Sequence, residues 1–176
     1  MQKTTGASLI DRVLGAARLD PQVYDEVASD TRATPQAVLV VALAGLATGI
    51  GFFGSDDGFG LLVTRVAHAL LVWGLWTITS YFVGTTLFRS REPNPAANWR
   101  QLVRTTGFAQ SPGLLRVVAF IPYVGFPIFV VTFFWQLAAM TVAVRQTLGY
   151  ASTWRALTVV LAGFIVATAV VAALER

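Results

Sequence analysis

Apolar residues in this chain gather into long runs, with little of the two-residue alternation of exposed strands. Five stretches are almost free of charge: Pro35–Phe53, Phe59–Phe88, Pro112–Ile121, Phe126–Val144 and Thr153–Leu174. A helix rises 1.5 Å per residue, and a bilayer core of about 30 Å takes about 20 residues. Four of the runs are therefore long enough to span. The second is longer than needed and must tilt or project. The third gives only about 15 Å as strict helix, so it needs help from residues 105–111 or burial among its neighbours. The boundary between the third and fourth runs rests on Ile121-Pro-Tyr-Val-Gly-Phe-Pro127, where two prolines with a glycine between them break a helix.

The remaining pattern is amphipathic. Leu9, Ile10, Val13, Leu14 and Ala17 recur at helical spacing, which predicts a helix with one apolar stripe, set on headgroups or against its own membrane domain. Residues 1–34 thus form a cytosolic N-terminal segment, and residues 35–176 a transmembrane domain. Residues 89–111 are polar and basic. They predict a short interfacial helix from Asn94-Pro95 to Gly107, with Trp99, Leu102, Val103 and Thr106 on one face and Arg100, Gln101 and Arg104 on the other. Asp20-Pro21, Thr34-Pro35, Asn94-Pro95 and Ser111-Pro112 each place a capping side chain before proline and predict helix starts. Ser152 is a cap for the last helix. The predicted fold is all-α: a polytopic integral membrane protein of five transmembrane helices, with short amphipathic helices on the cytosolic side.

Charge fixes the orientation expected for this pattern. Of thirteen Lys and Arg residues, eleven lie in or beside alternate connections: Lys3, Arg12, Arg18 and Arg32; Arg89, Arg91, Arg100, Arg104 and Arg116; Arg145 and Arg155. Only Arg65 and Arg176 fall on the other side. Positive residues stay cytoplasmic, so the N-terminus is expected inside and the C-terminus outside. Four spans would break this pattern.

Composition changes the picture little. The chain is 55% hydrophobic and 12% charged, with mean hydropathy +0.64. Soluble domains carry about twice that share of charge. The net charge of +4 is arginine beside apolar runs, which points to anionic headgroups and not to nucleic acid. Twelve arginines against one lysine, with abundant Ala and Val, point to a GC-rich bacterial genome and hence a bacterial cytoplasmic membrane. The first 34 residues lack the basic start and immediate apolar stretch of a signal peptide.

Chemistry is sparse. With no cysteine and one histidine, neither a thiol site nor a multi-histidine metal site can form. Neither a catalytic constellation nor a cofactor motif is present, and the chain is expected not to be an enzyme. Arg65 and His68 lie three apart on one face of the second run. An intramembrane basic group is a functional candidate, and the ordinary alternative is that Arg65 snorkels to Asp56, Asp57 or headgroups. Thr77, Tyr81, Gln136 and Thr141 could line a polar path or simply hydrogen-bond neighbouring helices. Gly45 and Gly49 are small residues four apart that serve either internal packing or dimerisation. Arg89, Arg91, Arg100, Arg104, Arg145 and Arg155 form a basic face for lipid or a protein partner.

A family resemblance emerges from several short motifs in order. Leu19-Asp-Pro-Gln-Val-Tyr24 leads to Thr34-Pro-Gln-Ala37; Gly107-Phe108, Ser111-Pro112 and Ile121-Pro122 follow; then come Trp135, Ala138, Ala143, Arg145-Gln-Thr-Leu-Gly-Tyr150, Thr153, Arg155 and Ala156. Over roughly residues 8–170 the chain resembles the prokaryotic branch of the Ypt-interacting-protein (Yip) domain family. The resemblance implies five membrane helices, a cytosolic N-terminus and an external or lumenal C-terminus, and for the eukaryotic branch a part in vesicle trafficking with homo- and hetero-oligomers. In the eukaryotic branch it also implies binding of prenylated small GTPases. The Asp-Leu-Tyr-Gly-Pro box that precedes the first span in that branch is absent here. The two functional expectations are an adaptor acting through its basic cytosolic face, and a small transporter, channel or lipid-moving protein.

Overall fold

The computed structural model describes residues 7–53, 58–88 and 98–174. These residues form seven α-helices and one 3₁₀ segment: α1 (Leu9–Ala17), α2 (Pro21–Ser29), α3 (Ala33–Gly51), α4 (Phe59–Thr86), α5 (Trp99–Phe108), the 3₁₀ segment (Ser111–Phe120), α6 (Gly125–Leu148) and α7 (Thr153–Leu174). Four of them, α3, α4, α6 and α7, are long and apolar enough to cross a membrane.

Local chemistry explains several starts. Ser8 and Asp11 cap α1 reciprocally, and the Asp20 carboxylate accepts from the Gln22 amide at 2.9 Å with Pro21 at the first helical position of α2. The predicted start at Thr34-Pro35 is corrected. Asp30 accepts from the Arg32 amide at 2.9 Å and its carbonyl accepts from Ala33, so α3 begins at Ala33. Pro35 then sits in the first turn, where its missing N–H leaves nothing unpaired. Asn94-Pro95 lies outside the described residues; α5 begins at Trp99, capped by Asn98, and runs to Phe108. Ser111 does not cap, since its buried hydroxyl has no partner. The break at residues 121–127 is present: Tyr123 adopts φ 67° and α6 starts at Gly125.

The third run is not an α-helix. Ten residues of 3₁₀ helix rise about 20 Å, against about 15 Å for α. This segment continues α5 alongside α3. A Cβ on Gly107 would meet Ala37 in the first turns of α3, and one on Gly51 at the other end would lie 1.9 Å from the Arg116 carbonyl. No side chain fits there, so the backbones touch. Gly45 and Gly49 serve internal packing in the same way: added Cβ atoms would sit 2.7 Å from Ala69 and 3.0 Å from Leu62, both on α4.

Contacts at helix ends order the bundle. Gly125, opening α6, lies against Ala119 and Phe52, whereas Gly84 near the end of α4 lies against Leu148 and Tyr150. The α4 exit and the α6 entry are thus at opposite ends. We call these the α6–α7 end and the α3–α4 end.

The N-terminal helices are part of this core. Ala16, Tyr24 and Val27 are fully buried in one cluster with Val40, Leu102 and Met140. The Trp135 indole of α6 donates to the Ala17 carbonyl at 2.7 Å. Packing takes Leu9 and Val13 of the α1 stripe and leaves Ile10 and Leu14 exposed.

Candidate functional site

Two regions hold the predicted site residues. The first is a cavity of about 330 Å³ among α3, α4, the 3₁₀ segment, α6 and α7. Its polar lining is Thr48, Arg65, His68, Gln110, Arg116 and Gln136, and Trp73, Trp76, Phe129, Phe133 and Phe164 wall it. Helical spacing accounts for the α4 share: residues 65, 68, 69, 72, 73 and 76 lie on one face.

Arg116 is the centre of this polar set. Its Nε donates to the Thr132 hydroxyl at 2.9 Å, and its Nη2 donates to Gln136 Oε1. Its guanidinium lies over the Phe129 ring, 4.8 Å from the centroid. Gln136 passes the chain on, donating to Gln110 Oε1 at 2.8 Å, and Gln110 reaches the Met140 sulfur at 3.7 Å. Thr132 and Gln136 are one turn apart on α6, so together they grip one guanidinium. Arg65 is exposed beside the cavity mouth, and Asp56 and Asp57, its expected partners, lie outside the described residues.

The sequence reading missed Arg116. Its place four residues after Pro112 put it among the charges of the second connection, but its backbone lies against Gly51 at the α3–α4 end. It therefore leaves the charges counted in that connection. The signal that could have found it was the Thr132/Gln136 pair, two polar acceptors on one face of an uncharged run.

The second region is the α6–α7 end. Arg100, Arg145 and Arg155 are exposed there, and Trp99 and Trp154 are 54% and 78% exposed beside them. Arg100 sits 5.8 Å from the Trp99 ring centroid. Arg89 and Arg91 lie outside the described residues. Arg104 is corrected: it is 5% exposed, and its Nε and Nη2 donate to the Val27 and Ala28 carbonyls at the end of α2. The interfacial face drawn for α5 is also corrected, because Leu102, Thr105, Thr106 and Phe108 are fully buried.

The polar residues expected along a path do not share a space. Thr77 and Tyr81 line a separate apolar groove of about 330 Å³ with Ile78, Phe82, Trp99 and Val103. Thr77 also pairs with Thr106 at 2.9 Å. Thr141 is buried and donates to the Leu137 carbonyl within its own helix at 2.8 Å. Only Gln136 of the four reaches the arginine cavity. Among the described residues, no three of His, Cys, Asp and Glu come together as metal ligands.

Neither curated proteins nor solved structures offer a match to this chain. A family model does, described as the Yip1 domain and spanning residues 21–174, from the first turn of α2 to the last residue of α7. The chain belongs to the Yip1 domain family.

Proposed function

We propose that this chain is a non-enzymatic membrane-organising adaptor whose working surface is the α6–α7 end. The observation that carries it is the repeated Trp–Arg pair, Trp99–Arg100 and Trp154–Arg155, exposed at the starts of two helices. Indoles settle at the headgroup level, and arginine beside them attracts anionic lipid or an acidic partner. In this reading that end faces the cytoplasm of a bacterial cell, together with Arg89, Arg91 and Arg145. The chain crosses five times, with α5 and the 3₁₀ segment as the third crossing. Their rises sum to about 35 Å, enough for the bilayer core. The C-terminus is then external, and the molecule self-associates. The separation of Thr77 and Tyr81 from Gln136 favours the adaptor over a transporter, which needs one connected path.

The test is capture of free anionic vesicles by protein reconstituted with the α6–α7 end outward. Arg100→Glu with Arg145→Glu and Arg155→Glu should lower capture at least about a hundredfold, since three charges at roughly 1 kcal/mol each are lost, in protein that remains folded. Equal capture by the triple variant sinks the basic face. Protein-dependent ion or lipid flux lost in Gln136→Leu would instead establish the transporter.

A further inference from the structure

Among the described residues, the arginine cavity holds positive charge with no acid beside it. None of the nine acidic residues lies within α3 to α7 or the 3₁₀ segment. Among the described residues, Arg65 and Arg116 bring two positive charges to one cavity whose lining holds no carboxylate. Arginine stays protonated in proteins and presents five N–H donors. Arg116 directs Nε to Thr132 and Nη2 to Gln136, both neutral acceptors, which leaves Nη1 for another. An uncompensated charge among membrane helices is costly unless it is paired or wet. The cavity also opens beside Arg65, which is exposed, so an occupant can enter.

We propose that this cavity binds the phosphate of an anionic phospholipid between Arg65 and Arg116. The charge complement calls for an anion, and a planar guanidinium grips phosphate oxygens through two parallel N–H donors. The walls select the source of that anion. Phe129, Phe133, Phe164 and Val41 surround the polar patch with apolar surface that a free hydrated phosphate would not use and an acyl chain would. The Gln136–Gln110 pair behind Arg116 fixes the guanidinium at the back of the cavity. The site lies among α3, α4 and α6, toward the α3–α4 end, and it is distinct from the basic face of the adaptor reading.

The experiment is native mass spectrometry of the full chain, delipidated in neutral detergent. It is then offered phosphatidylglycerol, phosphatidylcholine or inorganic phosphate at equal concentration. One phosphatidylglycerol should be retained in preference to phosphatidylcholine. Arg65→Gln and Arg116→Met should each lower that retention about tenfold, the scale of one lost hydrogen-bonded charge contact. Arg145→Gln, at the other end, should leave it unchanged. Arg65 is exposed, so Arg65→Gln keeps the test valid if Arg116→Met fails to fold. Equal retention of the two lipids, or unchanged retention in Arg65→Gln, overturns the proposal. Uptake of inorganic phosphate without lipid overturns the lipid as its source.

Discussion

The molecule holds two sets of arginines, one at the α1–α2 corner and one at the cavity, and it treats them in opposite ways. Arg12, 4% exposed, meets Glu26 at 2.9 Å, Asp30 at 2.6 Å and Gln36 at 2.8 Å, so one side chain ties α1 to α2 and α3. Arg104 completes the same corner by taking the last carbonyls of α2. Each of these charges is matched by acids or by the negative end of a helix, which is the arrangement of a structural clamp. Arg116, with Arg65 at the mouth of its cavity, has glutamine, threonine and aromatic faces instead. Neutral partners hold a guanidinium in place without cancelling its charge. That difference separates arginines that build the fold from arginines kept for a ligand.

The sharpest way to break this comparison is to remove one arginine from each set. Arg12→Met strands two carboxylates. It should destabilise the protein by about 3 kcal/mol, the lower end for a broken buried pair because Glu26 and Asp30 keep some water. Arg116→Met removes the charge itself and strands only neutral groups, so it should cost about 1 kcal/mol. Chemical unfolding in detergent measures both. If Arg116→Met costs as much as Arg12→Met, the cavity arginine is structural after all.

Arg104→Met is the next largest effect. It leaves the Val27 and Ala28 carbonyls of α2 unpaired, and about 2 kcal/mol should be lost. Arg100→Met, one turn earlier on the same helix, should change stability by less than about 0.5 kcal/mol because its side chain is exposed. Equal losses would mean that α5 does not enter the core as described.

The contrast between Arg100 and Arg104 also marks where the sequence stops being informative. The charge-poor runs, the Asp20-Pro21 start and the break near Tyr123 follow from local chemistry, and all are present. A helical wheel places Arg100 and Arg104 on one face, and it assumes that burial varies around a helix. In α5 burial varies along the axis: Trp99 and Arg100 are outside, and every residue from Arg104 to Phe108 is buried. No periodicity records a helix that enters a bundle end-on. The 3₁₀ segment escapes for a related reason. It lies against Gly51, 65 residues before Arg116, a contact that no local pattern records. The arginine cavity needed that same crossing to be known, since only then does Arg116 reach Thr132 and Gln136.

The smallest expected effect is a pH dependence confined to the clamp. Hydrogen bonds from the Arg12 side chain and then the Arg32 amide hold the Asp30 carboxyl below its usual pKa. A carboxyl whose folded pKa is depressed contributes stability that is present above its unfolded value of about 3.9 and lost as pH falls through the folded value. Asp30→Asn should therefore melt below the parent protein at pH 7, and the gap should close as the pH falls below about 4. Asp11 is also held low, by the Ser8 hydroxyl and then the Ser8 amide. It is common to both proteins, so its titration cancels in the difference. No carboxylate among the described residues lines the cavity, so this difference reads the clamp. A gap that stays constant from pH 7 to pH 3 would mean that Asp30 acts through its turn alone, with no charge pairing to Arg12. The clamp and the cavity would then no longer differ in how they neutralise arginine.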